Sequence, residues 1–474
     1  MKRVKRTSPV DVVQVAFRPA PGMSVPANFL FSPSDSVVAY LDTVSKPGGA
    51  GEFRQLCMMD LKTLVAQSVL GPSFEGDEED SFSLEEKIRR ERQRLQFTGV
   101  TQFAWCRDGT QEGKIILPLQ GQWLSVLPFS SPRLVKVIVE KDPLGPALDA
   151  NASPNGELLA FVRNGDLYVS PTKHLTPPVR LTFTASRGVT NGLASFLAQE
   201  EMDRAHGFWW SPDSSYLAFE HVDERHIPEY RIVHQGSDRV GEGAQEDHRY
   251  PFAGKLNPIC KLFIVDVEAS LSKQQDSTRP SPPLVEVDLN VFHSQEVYLA
   301  RVEWFPDGTL AVQVENRNQS SLKLLRFDLR TGITTTLLEE TSQVWINLHD
   351  LFVPLRLDKQ DGFLWGSERS AFMHLYLYKL LANGSAELVR QVTGGEWIVE
   401  QISGVDEEAG LVFFHGNCDN PMERHMYVAD LLGQCSYNPP RLTPKGGHHA
   451  CVIDHRFHTV CCLRSSICQP ATVR

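Results

Sequence analysis

One phrase recurs along the chain and constrains its fold more than any other feature. An aromatic or small residue leads into a turn built from Ser, Pro, Asp, Asn or Gly, and a short β-rich run follows. Phe31-Ser32-Pro33-Ser34-Asp35 precedes Val37-Val38-Ala39-Tyr40, and Trp105-Cys106-Arg107-Asp108-Gly109 is a second copy. Ser153-Pro154-Asn155-Gly156 precedes Leu158-Leu159-Ala160-Phe161-Val162. Trp210-Ser211-Pro212-Asp213-Ser214 and Trp304-Phe305-Pro306-Asp307-Gly308 are the clearest copies. Each is a tight turn feeding a strand, which is hairpin chemistry. A second strand often follows and ends in Asp, as in Leu262-Phe263-Ile264-Val265-Asp266 and Leu324-Leu325-Arg326-Phe327-Asp328. Phe363-Leu364-Trp365 with Leu375-Tyr376-Leu377-Tyr378, and Leu411-Val412-Phe413-Phe414 with Met426-Tyr427-Val428, keep the rhythm without the turn. The starts lie about 45 to 95 residues apart, near the roughly 40–50 of propeller blades once insertions are allowed. The expected fold is all-β: a β-propeller of about seven to eight four-stranded blades with short helical insertions. An irregular array of β-sandwiches is the competing reading.

Three segments break this rhythm. Over 83–95, Ser83 and Glu86 form a capping box and Leu84, Ile88 and Leu95 recur at helical spacing. This predicts a short helix, acidic at its start and basic at its end. Ala194 to Arg204 has a brief helical pattern immediately before the Trp209-Trp210 blade start. The polar stretch 222–255 is too long for a hairpin loop, and loops of that length are functional or disordered. Beyond Gly446 the composition changes: four of the nine cysteines, with His448, His449, His455 and His458, crowd the end of the chain. No Cys-x2-Cys spacing accompanies them, so no metal site is assigned and a disordered tail is expected. The expected divisions are an N-terminal segment 1–25, a propeller 26–445 and a His/Cys-rich tail 446–474.

The balance of 47 basic and 58 acidic side chains gives a net charge of −11, which disfavours a phosphate-neutralising surface and hence nucleic acid as a partner. No stretch approaches the roughly 18 apolar residues needed to cross a bilayer. The basic start Met1-Lys2-Arg3-Val4-Lys5-Arg6 is followed by no apolar core, so neither a signal peptide nor a membrane association is expected. The first five cysteines are widely scattered, as in reduced cytosolic proteins, and the expected location is cytoplasmic.

The sequence holds no Gly-x-Ser-x-Gly nucleophile elbow, no phosphate-cradling Gly-rich loop, no His-Glu-x-x-His and no dinucleotide fingerprint. No catalytic residue and no cofactor is therefore assigned within the chain. The adjacent acids Glu200 and Glu201 are the most informative pair. Two neighbouring carboxylates repel each other, and in a cleft they need a cation to stay charged. An alkylammonium, with three N–H donors, suits that task. Successive residues of a regular helix point about 100° apart, so convergence of the two requires a helix end or a kink. On chemistry alone, a solvated Glu-Glu step is the default.

A family resemblance shifts that balance. Gln199-Glu200-Glu201-Met202-Asp203-Arg204, then Gly207-Phe208-Trp209-Trp210-Ser211-Pro212-Asp213, resembles the Glu-Glu region of dipeptidyl peptidase IV-type serine peptidases. Ile227-Pro228-Glu229-Tyr230 and Arg249-Tyr250-Pro251-Phe252-Ala253-Gly254 continue the match. The absence of an anchor and the Arg-Glu-Arg-Gln-Arg run look most like the cytosolic dipeptidyl peptidase 8/9-like branch. The resemblance implies a propeller that covers a serine hydrolase domain, in enzymes that release Xaa-Pro or Xaa-Ala dipeptides. It implies that Glu200 and Glu201 hold the substrate's N-terminal ammonium, and that Arg92 or Arg94 meets a substrate carbonyl. It also implies a homodimer through the 222–255 arm. The hydrolase domain with its Ser, Asp and His is expected to be missing from this chain, which would then be inactive alone. A stand-alone propeller that binds protein partners is the alternative.

Overall fold

The computed structural model describes residues 25–45, 52–70, 87, 90–92, 98–131, 133–233, 244–275, 283–292 and 296–473. Besides a two-stranded hairpin, eight sheets follow one another along the chain, antiparallel except where Thr98–Gly99 pairs in parallel with Phe53 and Arg54, and their neighbouring strands are mostly neighbours in sequence. They span 27–68, 104–139, 148–180, 189–287, 297–341, 352–391, 399–430 and 448–473, and are called blades 1 to 8. The expected propeller is therefore the observed fold, with eight blades. Blades 7 and 8 have three strands each rather than four.

Period-two alternation explains how the blades stack. On strand Lys114–Leu119, Ile115 and Leu117 pack towards blade 1, while Ile116 packs towards blade 3. On Leu158–Arg163, Leu159 and Phe161 face blade 2, and Ala160 and Val162 face blade 4. A strand apolar on both faces is what a blade clamped between two neighbours requires. The first strands of adjacent blades touch: Phe208–Trp210 with Val297–Trp304, Val399–Asp406 with His448–Ile453, and Ala27–Phe31 with His448–Ile453. Fourth strands such as Leu134–Val139 and Ala386–Gln391 are largely exposed. The first strand of each blade thus lies at the hub and the last at the rim.

The recurring phrase has two physical jobs. Its turn closes with one repeated hydrogen bond: Asp35 N to Ser32 O at 2.9 Å, Gly156 N to Ser153 O at 2.8 Å, Ser214 N to Ser211 O at 2.9 Å and Gly308 N to Phe305 O at 3.0 Å. The donor in each is left-handed, with φ of 57°, 75°, 67° and 81°, which explains Asp, Gly or Ser at that position. Its tryptophan joins blades. Trp105, Trp210 and Trp304 donate their indole N–H groups to the carbonyls of Leu30, Asn151 and Trp209 on the preceding blade, at 3.3, 3.2 and 3.2 Å.

The expected disordered tail from 446 is overturned. His448–Ile453, Val460–Ser466 and Gln469–Val473 form blade 8, so the propeller continues past 445. Cys451 and Cys462 are buried against Phe413 and Met426 of blade 7, packing as small residues where the sequence reading expected a disordered tail. The ring closes through Asp35 of blade 1, which accepts from His455 at the backbone (3.2 Å) and at Nδ1 (2.6 Å). The expected helix over 83–95 lies outside the described residues except at 87 and 90–92, which are helical.

Candidate binding site on the blade 4 helix

The hub strand of blade 4 is interrupted. Val189–Asn191 and Phe208–Trp210 both pair with Tyr216–Asp223, and residues 192–207 leave the ladder between them. Glu220 clamps the neck of this loop: its carbonyl accepts from Gly192 N and its N–H donates to the Gly207 carbonyl, both at 2.8 Å. The neck is too narrow for a side chain at 207, where a Cβ would lie 2.4 Å from the Leu193 carbonyl carbon. Glycine is required there by close backbone approach.

Within the loop, Phe196–Glu201 forms a short helix, α1. Ser195 caps it, its side chain accepting from Ala198 N at 3.2 Å. Ala194, Ala198 and Met202 bury against Ala300 and Tyr298 of blade 5 and against Leu348. The Met202 carbonyl accepts from Arg301 Nη1 at 2.8 Å, and Arg301 Nε is held by Asp350 at 2.6 Å. Under the loop, buried Arg204 pairs with buried Glu220 at 2.8 Å and donates to the carbonyls of His206 (2.7 Å) and Leu299 (3.1 Å). The thiol of Cys260 sits beside this pair; burial, and then the Glu220 charge, push it well up.

Glu200 and Glu201 occupy the C-terminal end of α1, exposed to solvent, with Met202 as the C-cap. The helix end that convergence requires is present. A helix C-terminus carries negative partial charge, and no basic residue lies in the last turn, so the two carboxylates sit where anions are disfavoured without a cation. Arg92 supplies part of that cation. Its Nε lies 3.5 Å from Glu200 Oε1, its Nη1 donates to Gln199 Oε1 at 3.2 Å, and its guanidinium stacks 5.0 Å from the Phe196 ring centre. Burial lowers the Arg92 pKa, while Glu200, then Glu224 and Glu91, favour its charged form. Among the described residues, none makes an ion pair or side-chain hydrogen bond with the Glu201 carboxylate, which leaves it open to a ligand. Arg94 lies outside the described residues.

The 222–255 stretch extends strand Tyr216–Asp223 and then forms a projecting hairpin, Glu229–Val233 with Gln245–Arg249. Arg231 and Asp247 brace it at 2.7 Å. Tyr230, Tyr250 and Phe252 cluster at its base, and Tyr250 meets Phe196 of α1 edge-on at 5.6 Å. The hairpin and the Glu-Glu helix are therefore mechanically connected. Of the residues singled out from the sequence, Glu200, Glu201 and Arg92 lie together here; Gln199, Phe196, Arg204, Glu220 and Arg301 were assigned no role. Glu220 carries no local signal, since its meaning depends on facing the neck of the 192–207 loop. Arg204 and Gly207 stood inside the motif and could have been read as its anchors.

The fold and site together define the class: an eight-bladed β-propeller whose blade 4 hub strand is opened into a loop that carries paired carboxylates. The sequence profile described as the dipeptidyl peptidase IV (DPP IV) N-terminal region matches residues 124–465, and the chain belongs to that family. Human dipeptidyl peptidase 8 is 26% identical over 448 residues, covering 78% of this chain and 48% of the relative. Mouse inactive dipeptidyl peptidase 10 is 26% identical over 284 residues, covering 59% of this chain and 34% of the relative. Porphyromonas gingivalis dipeptidyl peptidase 4 superposes with a TM-score of 0.70 at 19% identity, over 98% of this chain and 60% of that one. The chain thus spans about half the length of the human relative. No helix among the described residues is long and apolar enough to cross a membrane.

Proposed function

We propose that this chain is the substrate-gating, N-terminal-amine-recognising propeller of a serine-type dipeptidyl peptidase. The observation that carries the reading is the Glu200–Glu201 pair at the C-terminal end of α1, with Glu200 shared by Arg92 and Glu201 open. A peptide's free α-ammonium satisfies both carboxylates through charge-assisted hydrogen bonds, and its position fixes how far the chain reaches past the site. In this reading the ammonium displaces Arg92 from Glu200 and a substrate carbonyl takes its place as partner, with Arg94 the other candidate. In the complete family enzyme this gives removal of Xaa-Pro or Xaa-Ala dipeptides in the cytoplasm, by a homodimer joined through the hairpin arm.

Ammonium binding alone is ground-state binding and does not accelerate bond cleavage. Acyl transfer needs a nucleophile, a base and oxyanion donors within hydrogen-bond reach. The chain by itself is accordingly inert towards Gly-Pro and Ala-Pro reporters. The test is substitution of Glu200 or Glu201 by Gln: peptide capture falls steeply while the melting temperature holds. Capture within twofold of wild type sinks the assignment.

A second reading, a propeller that acts by binding proteins, is favoured by the exposed apolar face of the hairpin, where Tyr230, Ile232, Val233 and Phe252 stand in solvent. One relative is itself named an inactive dipeptidyl peptidase. Peptide binding that is indifferent to a free amine selects this reading over the first.

A further inference from the structure

Blade 8 holds a cluster of reactive groups that peptide recognition does not use. Cys451 on the first strand lies directly opposite Cys462 on the second. The Cys451 N–H donates to His415 Nε2 at 3.1 Å, so it points away from Cys462. The two cysteines therefore form a non-hydrogen-bonded pair, whose Cα atoms lie about 4.5 Å apart in an antiparallel ladder. That separation falls within the roughly 4.4–6.8 Å that disulfides span, so the two sulfurs can join with little backbone movement.

A base stands beside them. His449 Nε2 lies 3.1 Å from the Gly446 carbonyl, which can only accept, so Nε2 carries the proton. Nδ1 of the neutral ring is then an acceptor, and it lies 3.3 Å from Cys462 Sγ. His449, Cys451 and Cys462 share the face of the sheet turned to blade 7, whereas Cys461 alternates to the other face. Hydrogen bonding with Cys451, and then with His449, holds the Cys462 thiol below the ordinary thiol range, and Cys451 is raised correspondingly. Both cysteines are free and buried, with exposures of 7% for Cys451 and 9% for Cys462.

We infer that Cys462, His449 and Cys451 form a peroxide-oxidised dithiol site, with Cys462 as attacking sulfur and Cys451 as resolving sulfur. His449 takes the Cys462 proton, and the thiolate attacks the outer oxygen of a small hydroperoxide. The S–O bond forms as the O–O bond breaks, and the departing alkoxide or hydroxide takes the proton back from His449. Cys462 is now a sulfenic acid. Cys451 attacks its sulfur, the S–S bond forms, and the hydroxyl leaves as water with the Cys451 proton. Two thiols and one hydroperoxide become one disulfide, one alcohol or water from the peroxide, and one further water. The sulfurs lose two electrons and the O–O bond gains them. The resulting disulfide staples the hub strand of blade 8 to its neighbour, next to the His455–Asp35 contact that closes the ring.

The test uses the reduced full-length chain, hydrogen peroxide at pH 7 and peptide mapping by mass spectrometry. The expected product is an intramolecular Cys451–Cys462 disulfide that dithiothreitol reverses, formed at least about tenfold faster than oxidation of the exposed Cys468 in the same sample. Cys451→Ser should instead trap Cys462 as a sulfenic acid captured by dimedone, and Cys462→Ser should leave Cys451 reduced. His449→Gln should slow Cys462 oxidation by about tenfold, and the cysteine variants decide the matter if that variant does not fold. Oxidation of Cys468 ahead of Cys462, or an unchanged product in Cys451→Ser, overturns the inference.

Discussion

Arg204 Nη1 lies 2.8 Å from Glu220 Oε2, with side-chain exposures of 5% and 0%, at the neck of the loop that carries Glu200 and Glu201. Removing one member of such a pair leaves a buried charge without its partner, at a cost of about 3–5 kcal/mol. Arg204→Met should therefore lower the melting temperature by many degrees and loosen α1. The double variant Arg204→Met with Glu220→Leu should recover much of that loss, because neither charge remains. Thermal unfolding of the four members of this cycle checks the coupling. Additive effects of the two substitutions would contradict it.

Glu315 supplies a pH dependence. It is fully buried on the second strand of blade 5 and faces blade 6 with Ala311 and Gln313. Burial pushes its carboxyl from an ordinary 4.5 up to about 7, opposed by a hydrogen bond from Gln319. The folded state thus holds this proton more tightly than the unfolded chain does. Its stabilising effect is complete below about pH 4.5 and is lost as pH rises through about 7. Glu315→Gln removes the effect. The stability of the variant relative to wild type should climb between pH 5 and pH 7 and level off near pH 8. Chemical denaturation across that range checks it, and a difference independent of pH would contradict it.

The hairpin Glu229–Val233 with Gln245–Arg249 presents Tyr230, Ile232 and Val233 at exposures of 51%, 46% and 62%. Aromatic anchors of this kind carry disproportionate weight in protein interfaces. Light scattering of the chain at micromolar concentration should give a dimer mass, and Tyr230→Asp should give a monomer. A wild-type chain already monomeric at that concentration contradicts the arm's assigned role.

The architecture was legible because its signals are local. A left-handed residue in a tight turn restricts Asp35, Gly156, Ser214 and Gly308 to a few residue types, and the resulting phrase marks blades 1 to 5. The helix carrying Glu200 and Glu201 was legible for the same reason, as a brief helical pattern over 194–204, although its Ser195 cap was not read from the sequence. What failed depended on tertiary context. Residues 446–474 read as a tail because the composition turns to His and Cys there, whereas alternation and the face of blade 7 make Cys451 and Cys462 core residues. The anchors of the site were hidden similarly, since Glu220 and Arg301 reach α1 only through sheet register and the contact between blades 4 and 5.

The most direct test of the account compares two peptides that differ only at the amine. Calorimetric titration of the chain with Ala-Pro-amide and with its N-acetyl form isolates the contribution of the free ammonium. The free-amine peptide should bind, and acetylation should weaken binding by at least about 30-fold, as should Glu201→Gln, because a desolvated charge partner is worth about 2–5 kcal/mol. Equal affinity for the two peptides, or a Glu201→Gln chain that binds the free amine as well as wild type does, would contradict the central claim that Glu200 and Glu201 read the peptide N-terminus.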